Sequence, residues 1–435
     1  MKVHSLQLMV SLVLLAGVVT SLTGCAGISR GITEAMLDSS KSEDTRVCYV
    51  RGRPVEGIQA ALDKQLPTPR EATGRHRTLK VLMVHGIGSH QPGYSTRLAE
   101  NLASSLALNR VQENYKEFSL SFPGVSDREL GVIRFSRYLN PDSSREMVFA
   151  ELTWDPIVER EKQGIAFDNS GEYSFRRTPL NNTLKNFVND TIPDVLMFNG
   201  SSRPLIQKSV AQSLCWVMSP TWDDLPNGGV QFCNGSDPRY RNEFDDEYVF
   251  ITHSLGSRIT VDALQWIAET ATEKAKSDPD LRAVVRRLQE KRFTVFMLSN
   301  QLPLLQLGQS PPKVHGRIKD ICGPGAPRAD ERLFGETHLV AFSDPNDLFS
   351  YAIPPRYIDE QMDSRLCPTL TNVVLNVAEV GKFMGLGFAN PLAAHTEYDN
   401  DQRVIGLIAH GIGTGHTAPI VTDRCSWLET VPEKK

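Results

Sequence analysis

The chain has no Cys-x-x-Cys pair: its seven cysteines stand singly at positions 25, 48, 215, 233, 322, 367 and 425. That scatter argues against a structural zinc site and against a thioredoxin-type redox motif. A basic block is missing too. Lys and Arg number 47 against 51 Asp and Glu, for a net charge of -4, and no cluster of positive charge is arranged to follow a phosphate backbone, so no nucleic-acid partner is expected. Internal repeats are absent, since the likeness between His85-Gly86-Ile87-Gly88 and His410-Gly411-Ile412-Gly413 is too short to count. Beyond the first twenty residues no apolar run is long enough to span a bilayer. What remains is 435 residues, 40% apolar, 23% charged and 8% aromatic, the makeup of a chain that buries a large core.

The N-terminus is the exception to this evenness. Met1 and Lys2 give a positive start, and Leu6 to Val19 is nearly all apolar, the layout of a secretory signal rather than of a membrane span. The stretch ends in Leu22-Thr23-Gly24-Cys25, which resembles the lipobox of bacterial lipoproteins. The resemblance implies a signal peptide over residues 1–24, cleavage before Cys25, and lipidation of its thiol with enough acyl chains to anchor the protein to a membrane. Ala26 stands where an Asp would favour the inner membrane, which implies the outer membrane, facing the periplasm. Residues 25–77 are expected to be the lipidated cysteine and a polar tether. In an oxidising compartment the other cysteines permit up to three disulfides. Cys215 with Cys233 is the favoured pair, because the two flank a turn-rich segment with Ser219-Pro220 and Asn227-Gly228-Gly229; the remaining pairings stay open.

The rest of the chain alternates between two periods. Short apolar runs at Leu79–Val84, Val132–Leu139, Met147–Thr153, Tyr248–Ile251, Phe293–Leu298 and Leu339–Phe342 read as strands. Helical periods are expected at Tyr94–Leu108, with Leu98, Leu102 and Leu106 on one face, and at Ser257–Thr270, Leu281–Arg292 and Asp401–Ala409. Strands alternating with helices predict the α/β class, a mostly parallel sheet covered on both faces, over residues 78–430.

Chemistry concentrates in three places. Tyr248-Val249-Phe250-Ile251-Thr252-His253-Ser254-Leu255-Gly256 runs from a strand through Ser-x-Gly into a helix, and resembles the nucleophile elbow of the α/β-hydrolase superfamily. The usual glycine two residues before the serine is replaced by Thr252. The resemblance implies the chain order serine, acid, histidine. After the strand ending at Phe342 comes Ser343-Asp344-Pro345-Asn346-Asp347, where Asn346-Asp347 matches the acid turn of lipases and Asp344-Pro345 reads as a structural turn, so Asp347 is preferred to Asp344. Beyond the acid lie His395, His410 and His416. His395, in a polar loop before a helical stretch, is the expected base; His410 ends a helix, where an imidazole satisfies carbonyls. The N–H groups of Leu255 and Ile87 are the expected oxyanion hole, with His85 a structural member of its turn.

Together these segments imply a lipase-like or esterase-like serine hydrolase with the α/β-hydrolase fold, working on an acyl ester or lipid without metal or organic cofactor. An acyltransferase or thioesterase would use the same residues, and the fold can also serve as a non-catalytic envelope scaffold. The long separation of His85 from Ser254 points to an insertion at about 157–243. Its Phe187, Val188, Leu196, Phe198 and Trp216 are candidates for a helical cap or lid, the alternative being that they enlarge the core.

Overall fold

Successive residues of the central strands enter opposite cores, as the two-residue period of a strand requires. In the computed structural model, which describes residues 46–64, 78–125, 129–167, 178–218, 221–234, 246–383 and 386–428, Val81, Met83, Val249, Ile251, Phe296, Leu298, Val340 and Phe342 line one core. Leu82, Val84, Phe250, Val295, Met297, Leu339 and Ala341 line the other. Strands with no solvent face read as unbroken apolar runs, which is why they stand out in the sequence.

Val380–Phe383 with Leu386–Ala389 and Val55–Glu56 with Gly411–Ile412 make two small separate pairs, and eleven of the described strands form one sheet. From edge to edge it runs Cys425–Trp427, Cys48–Gly52, Pro368–Leu375, Glu336–Ser343, Arg292–Leu298, Glu247–His253, Leu79–Val84, Glu146–Thr153, Val132–Leu139, Asn109–Leu120 and Val230–Gln231. From Pro368–Leu375 across to Glu146–Thr153 every neighbour is parallel. Outside that block Val132–Leu139 is antiparallel to both its neighbours, and Cys48–Gly52 is antiparallel to Pro368–Leu375. Helices Ile58–Asp63, Thr96–Ser105 and Gln402–His410 cover one face with Ile58, Leu62, Leu98, Leu102, Val404 and Leu407. Arg203–Val217 and Leu255–Lys274 cover the other with Ile206, Val210, Ile259 and Leu264. The protein is thus a mixed α/β molecule with a largely parallel central sheet flanked by helices.

Three expectations need correction. Residues 46–64, assigned to the tether, belong to the body: buried Cys48 and Val50 alternate on a sheet strand, and Ile58 and Leu62 fill the core behind it. The helix expected to reach Arg292 stops at Leu288, because Arg292 already starts the next strand. The insertion is not all cap. Arg203–Val217 packs on the sheet with Ile206, Val210 and Trp216 in the core, and Phe198 is buried as well, whereas Val188 and Leu196 face solvent. The expected signal peptide, Cys25, the tether up to residue 45, residues 65–77 and the turn at Ser219-Pro220 lie outside the described residues.

The cysteines pair as Cys48–Cys425, Cys215–Cys233 and Cys322–Cys367, with Cα atoms 4.4, 5.9 and 5.5 Å apart. The expected local pair is among them. Among the described residues no helix is long and apolar enough to cross a membrane.

Candidate active site

Ser254 is the joint between strand Glu247–His253 and helix Leu255–Lys274, and its backbone sits at φ 55 and ψ -125. A side-chain-bearing residue there costs about 1–3 kcal/mol, which the surrounding packing must offset. Two glycines permit the tight turn. A Cβ on Gly256 would stand 2.3 Å from the Val84 carbonyl oxygen, and one on Gly86 would stand 2.5 Å from Ser254 Cβ. The helix start and the loop after strand Leu79–Val84 therefore close on the serine with no room for a methyl group. Thr252, the departure from the usual motif, is buried; its hydroxyl lies 3.1 Å from Ser257 Oγ.

The sheet brings the three expected side chains together. His395 Nε2 lies 3.1 Å from Ser254 Oγ, and its Nδ1 lies 3.0 Å from each oxygen of Asp347. With Nδ1–H given to the carboxylate, Nε2 is left to accept the serine proton. All three residues are buried. Burial alone would push the Asp347 carboxyl up, but hydrogen bonding and charge from His395, then the Ser299 hydroxyl and the Phe349 N–H, hold it below its ordinary value. Asp347 follows strand Glu336–Ser343, and His395 lies in a short helix, Pro391–Thr396, rather than in an open loop. Asn390 caps that helix by accepting from the N–H groups of Leu392 and Ala393.

The rejected candidates have structural partners. Asp344 accepts from the N–H groups of Asn346 and Val377 at 2.8 and 2.7 Å, holding a turn. His410 ends helix Gln402–His410 with Nε2 3.0 Å from Ser105 Oγ, and His416 is near Asp63. His85 is buried; its Nε2 accepts from the Trp154 N–H at 3.2 Å and its Nδ1 lies 2.9 Å from the Gly86 oxygen. Burial, with His90 close by, holds it well below the usual histidine pKa.

Leu255 opens its helix, so its N–H is one of those without an intrahelical acceptor. Ile87 follows the glycine that packs on Ser254. The loop beyond it is fixed from outside, by carboxylates that accept its backbone N–H groups. Asp194 takes Gly88 N–H at 2.7 Å, Asp190 takes Ser89 N–H at 3.2 Å, and Asp155 takes His90 N–H at 2.5 Å. Glu151 takes those of Gly93 and Ser95, the latter at 2.8 Å. Lys162 balances part of this charge, with Nζ 2.8 Å from Asp194. Burial drives the Asp155 carboxyl up to about 7 and that of Asp194 up to about 6. Asp190 and Asp194 belong to helix Pro179–Asn199, so the exposed part of the insertion grips the loop next to the serine.

His85, His90 and Asp155 bring three ligand-type atoms within 4.8 Å. They do not suit one metal ion: the two imidazoles stack at 4.1 Å with planes 24° apart, so their in-plane lone pairs run side by side instead of converging, and both His85 nitrogens are engaged.

Three residues at the centre carry no motif. His253 Nε2 lies 2.7 Å from the His395 carbonyl oxygen and donates to it. Ser299 Oγ donates to Asp347 at 2.6 Å and lies 2.8 Å from His395 Nδ1. Gln301 Nε2 donates to Ser254 Oγ at 2.8 Å. Ser299 and Gln301 just follow strand Arg292–Leu298, and position was their one signal: ligand-facing groups of a parallel sheet gather at its carboxyl ends. Comparison with protein-family models, with curated proteins and with solved structures finds no match to this chain.

Proposed function

We propose that the chain is a serine hydrolase that cleaves acyl esters through an acyl-enzyme, with the α/β-hydrolase fold. One observation carries the reading: the unbroken hydrogen-bond path from Ser254 Oγ through His395 to Asp347, at 3.1 and 3.0 Å, on a serine held at φ 55 between strand and helix. His395 accepts the Ser254 proton as Oγ attacks the acyl carbonyl, and Asp347 stabilises the imidazolium that forms. The N–H groups of Leu255 and Ile87 stabilise the oxyanion. His395 then protonates the departing alcohol, and water cleaves the acyl-enzyme in a second round.

An apolar acyl group suits the aromatic side chain beside the base. Phe349 packs edge-on against the His395 ring at 5.7 Å, and its neighbour Leu348 is 67% exposed. Helix Pro179–Asn199 exposes Val188, Ile192 and Leu196 at four-residue spacing while its Asp190 and Asp194 hold the loop beside Ser254. Helix Pro179–Asn199 serves as a cap on this reading. The three disulfides fit an oxidising envelope compartment, and a lipid on Cys25 holds the enzyme at the outer membrane.

A fluorophosphonate probe is expected to label the purified protein at Ser254 and to leave Ser254→Ala unlabelled, while p-nitrophenyl esters of rising chain length define the acyl pocket. A folded wild type that takes no label would end the hydrolase reading. Incorporation of radiolabelled palmitate, lost in Cys25→Ala, checks the anchor.

A further inference from the structure

Ser254 Oγ has a second polar neighbour besides its base. Strand Arg292–Leu298 lies beside the serine strand, His253 in register with Leu298, and the Ser254 N–H donates to the Leu298 carbonyl at 2.9 Å. The chain then turns at Ser299, at φ 49, and is pinned by Asn300: its N–H donates to Phe342, and its side chain donates to the Tyr351 carbonyl at 2.8 Å. Gln301 follows, 3% exposed, with its amide 2.8 Å from Ser254 Oγ. Proton accounting fixes which end of that amide faces the serine. His395 gives its Nδ1 proton to Asp347, so its Nε2 must receive the Oγ–H, and Oγ retains only lone pairs. Only the Gln301 NH2 group can complete the contact.

We propose that Gln301 is a catalytic residue specialised for the second half of the reaction, the release of Ser254 from the acyl-enzyme; this rests on the serine-hydrolase reading above. During acylation the hydroxyl oxygen already accepts the Gln301 bond before attack, so the bond favours ground state and transition state alike. In the acyl-enzyme Oγ is an ester oxygen, a poor acceptor. Water then adds to the acyl carbon and gives its proton to His395. As the tetrahedral intermediate collapses, the carbon–Oγ bond breaks, its electron pair returns to Oγ, and Oγ takes the proton back from His395. By microscopic reversibility the same partial charge appears on Oγ as it attacks in acylation, but there the ground-state hydroxyl already accepts the bond, whereas in deacylation the bond is regained only in that collapse, with the Gln301 donor already in place. The interaction is therefore stronger in the transition state of deacylation than in its ground state, the condition for a rate effect on that step alone.

The test is stopped-flow hydrolysis of p-nitrophenyl butyrate by wild type, Gln301→Met, which keeps the volume without a donor, and Gln301→Glu, which keeps the shape but offers only acceptors at neutral pH. Fluorophosphonate labelling rate, melting temperature and intact mass are measured alongside. For Gln301→Met we expect acylation and labelling within about 3-fold of wild type and deacylation slowed about 10-fold, the loss of one hydrogen bond. It should appear as a p-nitrophenolate burst of one per site and a butyryl adduct on Ser254. Gln301→Glu should accumulate the same adduct. If acylation and deacylation fall together, or neither changes, in variants that melt like wild type, Gln301 has no such role. A wild type that takes no fluorophosphonate fails at the earlier step and overturns the hydrolase reading itself.

Discussion

The turn at Ser254 and the loop from His85 to Ser95 press against each other at the carboxyl ends of adjacent strands, yet they are held by opposite means. The turn is fixed by backbone sterics. Gly256 lets the helix start touch the Val84 carbonyl, the Ser254 N–H reaches the neighbouring strand, and the adjoining core residues are apolar. The loop is fixed by charge. Asp194, Asp190, Asp155 and Glu151 each accept one or more of its N–H groups, and Asp155 and Asp194 are buried at the cost of raised pKa values. Ser254 sits on a turn that no carboxylate holds, whereas the expected oxyanion donor sits on a segment whose supports respond to pH and to the position of helix Pro179–Asn199.

The largest effects should come from the side chains proposed to be catalytic. Ser254→Ala and His395→Ala are each expected to lower kcat at least about 10^4-fold, with the double variant no worse than either, because the two act as a unit. Steady-state ester hydrolysis beside thermal melts checks this, and additive losses would break the unit. Next in size, Asp347→Asn should cost about 10^3–10^4 in kcat by allowing the wrong imidazole tautomer. Asp344→Asn should instead lower stability by about 1–3 kcal/mol, with activity of the folded fraction kept. Denaturant titration separates the two.

The contrast between sterics and charge is sharpened by a third pair. Gly256→Ala drives a methyl group into the Val84 carbonyl, and we expect a loss above about 3 kcal/mol or no folded protein. Asp194→Ala leaves Lys162 short of a buried counter-charge and should cost less, about 1–3 kcal/mol, but lose about 10–100-fold in kcat, since Gly88 is released next to the oxyanion donor. Equal damage to stability from both would erase the distinction.

The smallest effect is a slope. Asp155 titrates near 7 in the fold, above its unfolded value, so between about pH 4 and 7 the folded state binds more protons and its stability falls as pH rises. Asp347, held low, works in the opposite sense and destabilises the fold as pH drops below the ordinary carboxylate range. Asp155→Asn should therefore gain roughly 2–4 °C in Tm relative to wild type between pH 5 and 8 by calorimetry. A parallel shift at all pH values would show that Asp155 is not the titrating group.

The same contrast explains how much could be read from the sequence. The serine turn is local: strand, Ser-x-Gly and helix lie within a few residues, and the order Ser254, Asp347, His395 follows from a resemblance that fixes order rather than distance. The supports of the loop are not local. Asp155, Asp190 and Asp194 reach it from 65 to 106 residues away, and isolated aspartates on two helical segments carry no pattern that points to Gly88 or His90. Ser299 and Gln301 escaped for a related reason: each is an ordinary polar residue after a strand, meaningful only once that strand is known to lie beside Glu247–His253. The strand Cys48–Gly52 hid inside a polar stretch, since five residues with two buried side chains give too short an alternation to stand out.

The Cys48–Cys425 bond, which joins residues 377 apart, makes almost the whole body a covalent ring. Cys48 is the first residue of the strand next to the sheet's edge, so tension pulled through the chain ahead of it enters the ring at that residue and divides between two directions. Part runs into Cys48–Gly52 along its ladder with Pro368–Leu375, and part crosses the sulfur bridge into Cys425–Trp427. Neither strand can be peeled from the sheet without carrying the other. While the bridge is oxidised, Ser254, Asp347 and His395 all lie inside that ring, so a pull on the chain ahead of Cys48 reaches them only after it has loaded both outer strands.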